Sequence, residues 1–281
     1  MQLALLALGL VALTDLDSLH AQDSSCPGDG PISARVVSVN ERLELTLEDG
    51  IKLKIAGVDP PRPTPGSPDL DARMRDELGR WLIGQEIGFR QLEPGQDRWG
   101  RIVAFVYAPA PNTAGAASGK RLPLGEALID AGFARYEPSI ASHPCRSALL
   151  AAEVGARAGK VGLWADPYYA IIAAGDRESF AEKVGSIVIA EGRVSGIGGR
   201  RPRIMLYFGP RKGLDLSVTL LPPSNKEFEA AYSKLAHLAG QMIRVRGLLD
   251  MRFGPQIEIS DPDAVEAIGQ EQDVAASPAA R

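Results

Sequence analysis

The residues with the clearest chemical potential lie between Asp97 and Tyr107, where a polar turn leads into a β-branched and aromatic run. The turn Asp97-Arg98-Trp99-Gly100 places Arg101 at the first position of that run, which we predict to be a buried strand. A sheet would hold Arg101 rigidly with its planar fork facing outward. Such a fork suits a group with two oxygens, a carboxylate or a phosphate. Taken alone, these residues are more often a surface turn before a core strand.

A second set of polar residues lies in and after a predicted hairpin. Residues 43–48 alternate between apolar and polar types and meet residues 51–55 across Asp49-Gly50, a strong hairpin signal. The chain then enters Gly57-Val58-Asp59-Pro60-Pro61, where two prolines end strand pairing. We therefore expect Asp59 at the mouth of the sheet.

The remaining elements predict how these residues are positioned. Ser67 is expected to cap a helix that starts at Pro68 and carries Leu70, Met74, Leu78 and Leu82 on its core face. Further strands are predicted at 34–39, 85–92 and 101–107, a loop at 108–120, and helices at 124–131 and 145–159. Five strands with a helix after the third indicate a mainly β, α+β fold: an OB-type five-stranded barrel with three helices.

The order of these pieces is similar to that of a known family. The hairpin, residues 57–61, the helix and residues 97–101 are followed by Gly125-Glu126-Ala127-Leu128-Ile129, Gly132-Phe133-Ala134 and Gly162-Leu163-Trp164. Over residues 33–168 the chain resembles the thermonuclease (staphylococcal-nuclease-like) family. Each motif is weak alone, but their order and spacing together are specific.

The resemblance implies a nuclease that binds calcium through carboxylates and stabilises phosphate charge with two basic groups. Asp59 matches a metal-binding aspartate, and Glu41 falls where a second is expected. Lys54 stands in place of the first catalytic arginine and Arg101 matches the second. Lysine keeps the charge but lacks the bidentate fork.

The main departure from the family is Arg62. The family's catalytic glutamate, which activates water, directly follows the proline matched by Pro61, and a cation cannot accept that proton. The family's substrate tyrosines are also missing, because Pro138 and Ile140 occupy that stretch. We expect impaired catalysis, weak or absent calcium binding, and a phosphate pocket formed by Lys54, Arg62 and Arg101. Scattered surface charge is an equal alternative.

A second β pattern follows a connector at 169–183 and predicts a smaller OB-like β-barrel over 184–268, resembling the OB-fold modules of exported bacterial thermonuclease-like proteins. The net charge of −4 argues against wholesale coating of nucleic acid. Locally, residues 183–250 hold eleven Lys/Arg against five Asp/Glu. A basic groove for single-stranded nucleic acid or another polyanion would use Arg200, Arg201, Arg203, Tyr207, Arg244 and Arg246. A structural barrel with a solvated basic face explains the pattern as well.

The N-terminal region indicates export. Residues 3–13 are apolar, too few to span a bilayer, so residues 1–21 are expected to be a signal peptide, residues 22–32 a mature N-terminal segment, and the protein periplasmic or secreted. In that compartment Cys26 and Cys145, the two cysteines of the chain, would form a disulfide; two free buried thiols are the alternative. Residues 269–281 are expected to be a disordered tail.

Three functions fit these observations. The favoured one is an exported, catalytically impaired thermonuclease-like protein that binds nucleic acid or another phosphate-bearing polymer. An active calcium-dependent nuclease with a different base is the second, supported by Asp59, Glu41 and Arg101. A protein-interaction module of the cell envelope that binds no such ligand is the third.

Overall fold

The structure is a computed structural model that describes residues 26–28, 30–111, 121–200, 202–222 and 224–268. The predicted signal peptide, the predicted C-terminal tail and most of the predicted loop at 108–120 lie outside these residues. In the described part, no helix is long and apolar enough to cross a membrane.

A closed barrel forms the first half of the chain, and this confirms the predicted OB-type barrel. Its five strands follow the order β3-β2-β1-β5-β6, and parallel pairing of β3 with β6 closes the ring. The elements of this half are β1 (Ile32–Val39), β2 (Leu45–Leu47), β3 (Lys52–Ile55), β4 (Val58–Asp59), α1 (Leu70–Leu82), β5 (Glu86–Gln91), β6 (Arg101–Pro109), β7 (Arg121–Pro123), α2 (Leu124–Asp130), β8 (Arg135–Tyr136) and α3 (Arg146–Ala158).

The hairpin forms as predicted, with one difference at its start. Gly50 adopts a positive φ of 81° in the turn, and Leu45, Leu47, Leu53 and Ile55 are buried in the barrel. The prediction that the strand begins at 43 was wrong. Leu43 has a φ of 56° and its N–H donates to the Asn40 carbonyl, so it belongs to a turn.

Helix α1 has the predicted core face but begins at Leu70 instead of residue 68. Thr64 and Ser67 exchange backbone hydrogen bonds, and the Thr64 hydroxyl accepts from the Ser67 N–H. This local turn holds Ser67 outside the helix, so Asp69 takes the N-cap position.

Cys26 and Cys145 form a disulfide with a Cα–Cα distance of 4.4 Å, which confirms the predicted pairing. The bridge joins the N-terminal segment to a 3-10 helix over Ile140–Cys145 that leads directly into α3. It thereby fixes the start of the helix that faces the second half of the chain.

The second half is a β domain built on an eight-stranded mixed sheet of order β11-β12-β13-β15-β14-β10-β9, with β16 beside β14. In the described residues no strand pairing closes this sheet, so the predicted second barrel is not seen as such. The first strand of this sheet, β11, is Gly-rich. The elements are β9 (Ile172–Ala173), α4 (Arg177–Ala181), β10 (Ile187–Arg193), β11 (Gly196–Arg200), β12 (Arg203–Tyr207), β13 (Ser217–Leu220), α5 (Asn225–Ala236), β14 (Met242–Asp250), β15 (Gln256–Ile259) and β16 (Val265–Ala267).

Candidate nucleic-acid cleft

A cleft of about 590 Å³ opens at the mouth of the barrel. It is bounded by the turn before β2, the end of β3, β4 with the prolines after it, and the turn before β6. All five first-domain residues singled out from the sequence line it: Glu41, Lys54, Asp59, Arg62 and Arg101. The cleft therefore brings together the residues that the family resemblance aligned with one site.

Arg101 is buried, and carboxylates of the protein already engage its guanidinium. Nε donates to Asp97 Oδ2 at 2.8 Å, Nη2 lies 2.7 Å from the same oxygen, and Nη1 donates to Glu44. The Arg101 fork is thus engaged within the protein, because Glu44, the residue before β2, reaches across to it. Burial would raise the pKa of Asp97, but its hydrogen bonds from Arg101 and Trp99 outweigh burial and hold that pKa below its ordinary value.

Asp59 is also buried and paired with a cation. Pairing of β4 with β8 places Asp59 opposite Arg135, whose Nη2 and Nε lie 2.5 and 3.1 Å from Asp59 Oδ2. The Arg135 guanidinium lies 5.0 Å from the centre of the Tyr169 ring and also donates to the Ile187 carbonyl of the second domain at 3.3 Å. A protein cation therefore stands at the carboxylate that would have to bind calcium.

The residues present do not fit a calcium site. Glu41, the second expected ligand, is exposed and paired with Arg75. A hydrogen bond from its own backbone N–H, followed by the one from Arg75, lowers the pKa of Glu41. Among the described residues, no three His, Cys, Asp or Glu side chains are grouped so that they could hold a metal ion. Two carboxylates, each bound by an arginine, lack the six to eight oxygen ligands that calcium prefers.

Arg62 has a fixed backbone and an exposed side chain. Its N–H donates to Tyr169 Oη at 2.8 Å, and the same hydroxyl donates to the Arg62 carbonyl at 3.1 Å. Within the described part of the chain no acidic side chain pairs with the Arg62 guanidinium. Lys54, by contrast, is paired with Glu137 at 2.7 Å. Of the three predicted phosphate-facing cations, Arg62 is the one without a counter-charge.

Trp99 is an exposed aromatic surface on the cleft wall. Its side chain is 56 % exposed, with the Arg98 guanidinium 3.9 Å and the Arg101 guanidinium 4.7 Å from the ring centre. Asp97 accepts the backbone N–H groups of Trp99 and Arg101 at 2.9 and 3.0 Å, which fixes the turn that presents the ring. No role was predicted for Trp99 from the sequence. An aromatic residue between two arginines is nevertheless a sequence signal for base stacking.

Two arginines of the groove predicted for the second domain are engaged by carboxylates of the protein. Arg246 is enclosed between Glu153 and Glu266, and Arg244 is bound by Glu191 and Glu266, so carboxylates of the protein already engage both guanidinium groups. Both arginines lie on β14. Glu191 and Glu266 are on the neighbouring strands β10 and β16, whereas Glu153 is on α3 of the first domain. Arg203 is exposed, and Tyr207 lies under Lys212 at 5.8 Å. Arg201 and the side chain of Arg200 lie outside the described atoms.

Comparison with known proteins agrees with the barrel. Residues 53–166 match the family model described as staphylococcal nuclease homologue. No curated protein matches the chain. The matched segment runs from β3 to the end of the 3-10 helix at Gly162–Ala165 and contains Lys54, Asp59, Arg62 and Arg101. The first half of this chain is therefore a domain similar to the staphylococcal nuclease homologues, built on a closed five-stranded barrel.

Proposed function

We propose that this protein is an exported, nuclease-related protein with impaired phosphodiester hydrolysis, which binds single-stranded nucleic acid in the cleft. One observation carries the proposal. Lys54, Asp59 and Arg101 are each paired with an opposite charge of the protein. Arg62, at the position of the family's glutamate, and Trp99 are instead exposed in the same cleft.

Impaired hydrolysis follows from two cations at the site. Arg62 replaces the glutamate that would accept a proton from water, and no arginine can act as that base. Arg135 binds Asp59 where the metal would be needed. The chain thus keeps the barrel and its charged cleft. It lacks the proton acceptor at position 62, and its Asp59 carboxylate is not free to bind a metal ion.

Binding of a single strand rests on the side chains that remain accessible. The Trp99 ring offers a stacking surface for an unpaired base, worth about 1–3 kcal/mol per base in proteins that bind single strands. Arg98 and Arg62 offer guanidinium groups to the flanking phosphates. The disulfide fits an oxidising compartment and supports export.

An active nuclease is the second candidate, and Glu44 is the observation that favours it. This carboxylate lies in the cleft, hydrogen-bonded to Arg101 and to the Asn40 amide at 2.8 Å. A water molecule bound there would have a proton acceptor. Loss of hydrolysis in Glu44→Gln, with full hydrolysis in the wild type, would support this second candidate over the first.

Fluorescence anisotropy with labelled single-stranded oligonucleotides tests the binding proposal. Trp99→Ala should weaken binding about fivefold or more, the lower end of a stacking contribution. Phe253→Ala is the matched control, because Phe253 is 85 % exposed on the second domain and away from the cleft. Inorganic polyphosphate carries phosphates without bases, so its binding should be unaffected by Trp99→Ala. Equal oligonucleotide affinity in wild type and both variants would contradict the proposal.

A further inference from the structure

A second groove, of about 400 Å³, lies between the two domains and continues the cleft. Both cavities are lined by Asp59, Arg62 and Glu137. Arg62 thus stands at the junction, with its exposed guanidinium available to both. A chain molecule that places a phosphate at Arg62 would have its next unit in the groove.

The far wall of this groove is a row of side chains on the sheet of the second domain. Leu248 on β14 is paired with Ile187 on β10 and with Glu258 on β15. Residues directly opposite on neighbouring antiparallel strands share one face, so these three side chains lie side by side. Leu221, just after β13, lies in the same wall.

This wall exposes apolar side chains and one acidic side chain without a counter-charge. Leu221 and Leu248 are each 42 % exposed, although both belong to a domain with its own buried core. Glu258 is exposed and, within the described residues, pairs with no basic side chain. The groove therefore offers aliphatic surface beside a carboxylate that lacks a counter-charge.

The chemistry of such a wall suits a base better than a phosphate. Aliphatic side chains contact the flat face of a base, whereas Glu258 would repel a phosphate. A carboxylate accepts hydrogen bonds from exocyclic amino groups, as on cytosine N4. Thymine and uracil carry no such amino group. The phosphate of the same nucleotide would remain at Arg62.

We propose that the row of Ile187, Leu248 and Glu258 is a second base-binding subsite for the strand held in the cleft, selective for bases with an exocyclic amino group. This inference rests on the proposed function, since it requires a single strand at Trp99 and Arg62. It assigns the second domain a direct role in recognition, which the neutralised Arg244 and Arg246 do not provide.

Anisotropy of the whole chain with oligo(dC) and oligo(dT) of increasing length, from about 4 to about 16 nucleotides, tests the subsite. Affinity for oligo(dC) should rise with length until the groove is filled, and exceed that for oligo(dT) by about fivefold or more. Glu258→Gln should reduce the ratio of the oligo(dC) affinity to the oligo(dT) affinity. Removal of the negative charge should at the same time raise the affinity for both oligomers. Leu248→Ala should weaken long oligomers and leave the shortest unchanged. Leu214→Ala is the matched control, an equally exposed leucine outside the groove.

The outcomes separate the two proposals. If Trp99→Ala weakens all lengths while Leu248→Ala and Glu258→Gln change neither the length dependence nor the base ratio, the cleft binds the strand and the subsite is wrong. If no length of either oligomer binds, the proposed function itself fails. Equal melting temperatures of the variants and wild type verify that the exposed substitutions leave the fold intact.

Discussion

Arg246 on β14 and Glu153 on α3 form a two-pronged ion pair across the boundary between the two domains, with N–O distances of 2.8 and 2.9 Å. Their side chains are 2 % and 1 % exposed. Glu153 also accepts the backbone N–H of Tyr136 at 2.8 Å, and β8, which contains Tyr136, pairs with the strand that holds Asp59. The second domain therefore supports the floor of the cleft through one buried contact.

Removal of one partner from this pair should destabilise the whole chain. Arg246→Ala leaves the buried Glu153 with only the longer contact to Arg157 at 3.5 Å. Removal of one partner from a buried ion pair typically costs about 3–5 kcal/mol. Urea denaturation followed by circular dichroism measures the change in the free energy of unfolding. The control is Arg252→Ala, because Arg252 is exposed and bonds to Asp250 on the surface. Equal destabilisation by both variants would show that the buried pair does not join the domains.

A second contact between the domains, at Asp263, should make the free energy of unfolding fall at acid pH. Burial raises the pKa of Asp263, but hydrogen bonds from Lys234 and from His143 of the first domain outweigh burial and hold that pKa below its ordinary value of 3.8. Arg146 also faces this carboxylate, at 4.0 Å. A depressed folded-state pKa stabilises the protein above the ordinary value, and that stability is lost as pH falls through the folded pKa.

Denaturation midpoints measured from neutral pH to below about pH 3.8, the ordinary value, check this. Asp263→Asn should be less stable than wild type at neutral pH, and the difference should narrow in acid. A difference that stays constant with pH would contradict the ion-pair account of this contact.

Calcium should bind weakly or not at all. Asp59 is bound by Arg135, and Glu41 by Arg75, so calcium would have to displace two arginines. Calorimetry with calcium chloride should give no saturable heat, and Asp59→Asn should leave the result unchanged. A micromolar affinity that disappears in Asp59→Asn would overturn the assignment of Arg135 as the cation of this site.

The disulfide should stabilise the chain by closing a loop of 119 residues. The double variant Cys26→Ser/Cys145→Ser should lose about 2–5 kcal/mol of unfolding free energy. Thermal melting with and without reductant supplies the internal control, because reductant should lower the melting temperature of the wild type alone. A wild type that is insensitive to reductant and yields two alkylatable thiols would contradict the bridge.

The sequence predicted local features well where one residue type determines the backbone. Asp49-Gly50 predicted the hairpin. The four-residue spacing from Leu70 to Leu82 predicted the core face of α1. The order of the family's motifs placed Asp59, Arg62 and Arg101 in one cleft. These features depend on residues close together in the chain or on an order of motifs.

Apart from the disulfide, contacts between residues far apart in the chain were not predicted. Glu44 lies 57 residues from Arg101, and Arg135 lies 76 residues from Asp59. No periodicity reports which carboxylate will neutralise which arginine, so Arg244 and Arg246 looked like surface charge when they are structural. Which carboxylate pairs with which arginine depends on barrel closure and on the packing of the two domains. Both are features of the tertiary structure.

We propose that Arg62 holds the place of a lost general base in a cleft that still receives a single strand. Tyr169 fixes the backbone of residue 62 through both its N–H and its carbonyl, so Arg62→Glu should place a carboxylate at the same point. A general base typically contributes about 10²–10⁴-fold, and Lys54 in place of an arginine should limit recovery to part of that.

The most direct measurement is degradation of a labelled single-stranded oligonucleotide by purified wild type and Arg62→Glu, each with calcium and with a chelator. We expect the wild type to bind the oligonucleotide and leave it intact under both conditions, and Arg62→Glu to cleave it measurably above wild type. Calcium-dependent cleavage by the wild type, equal to that by Arg62→Glu and well above background, would contradict the account.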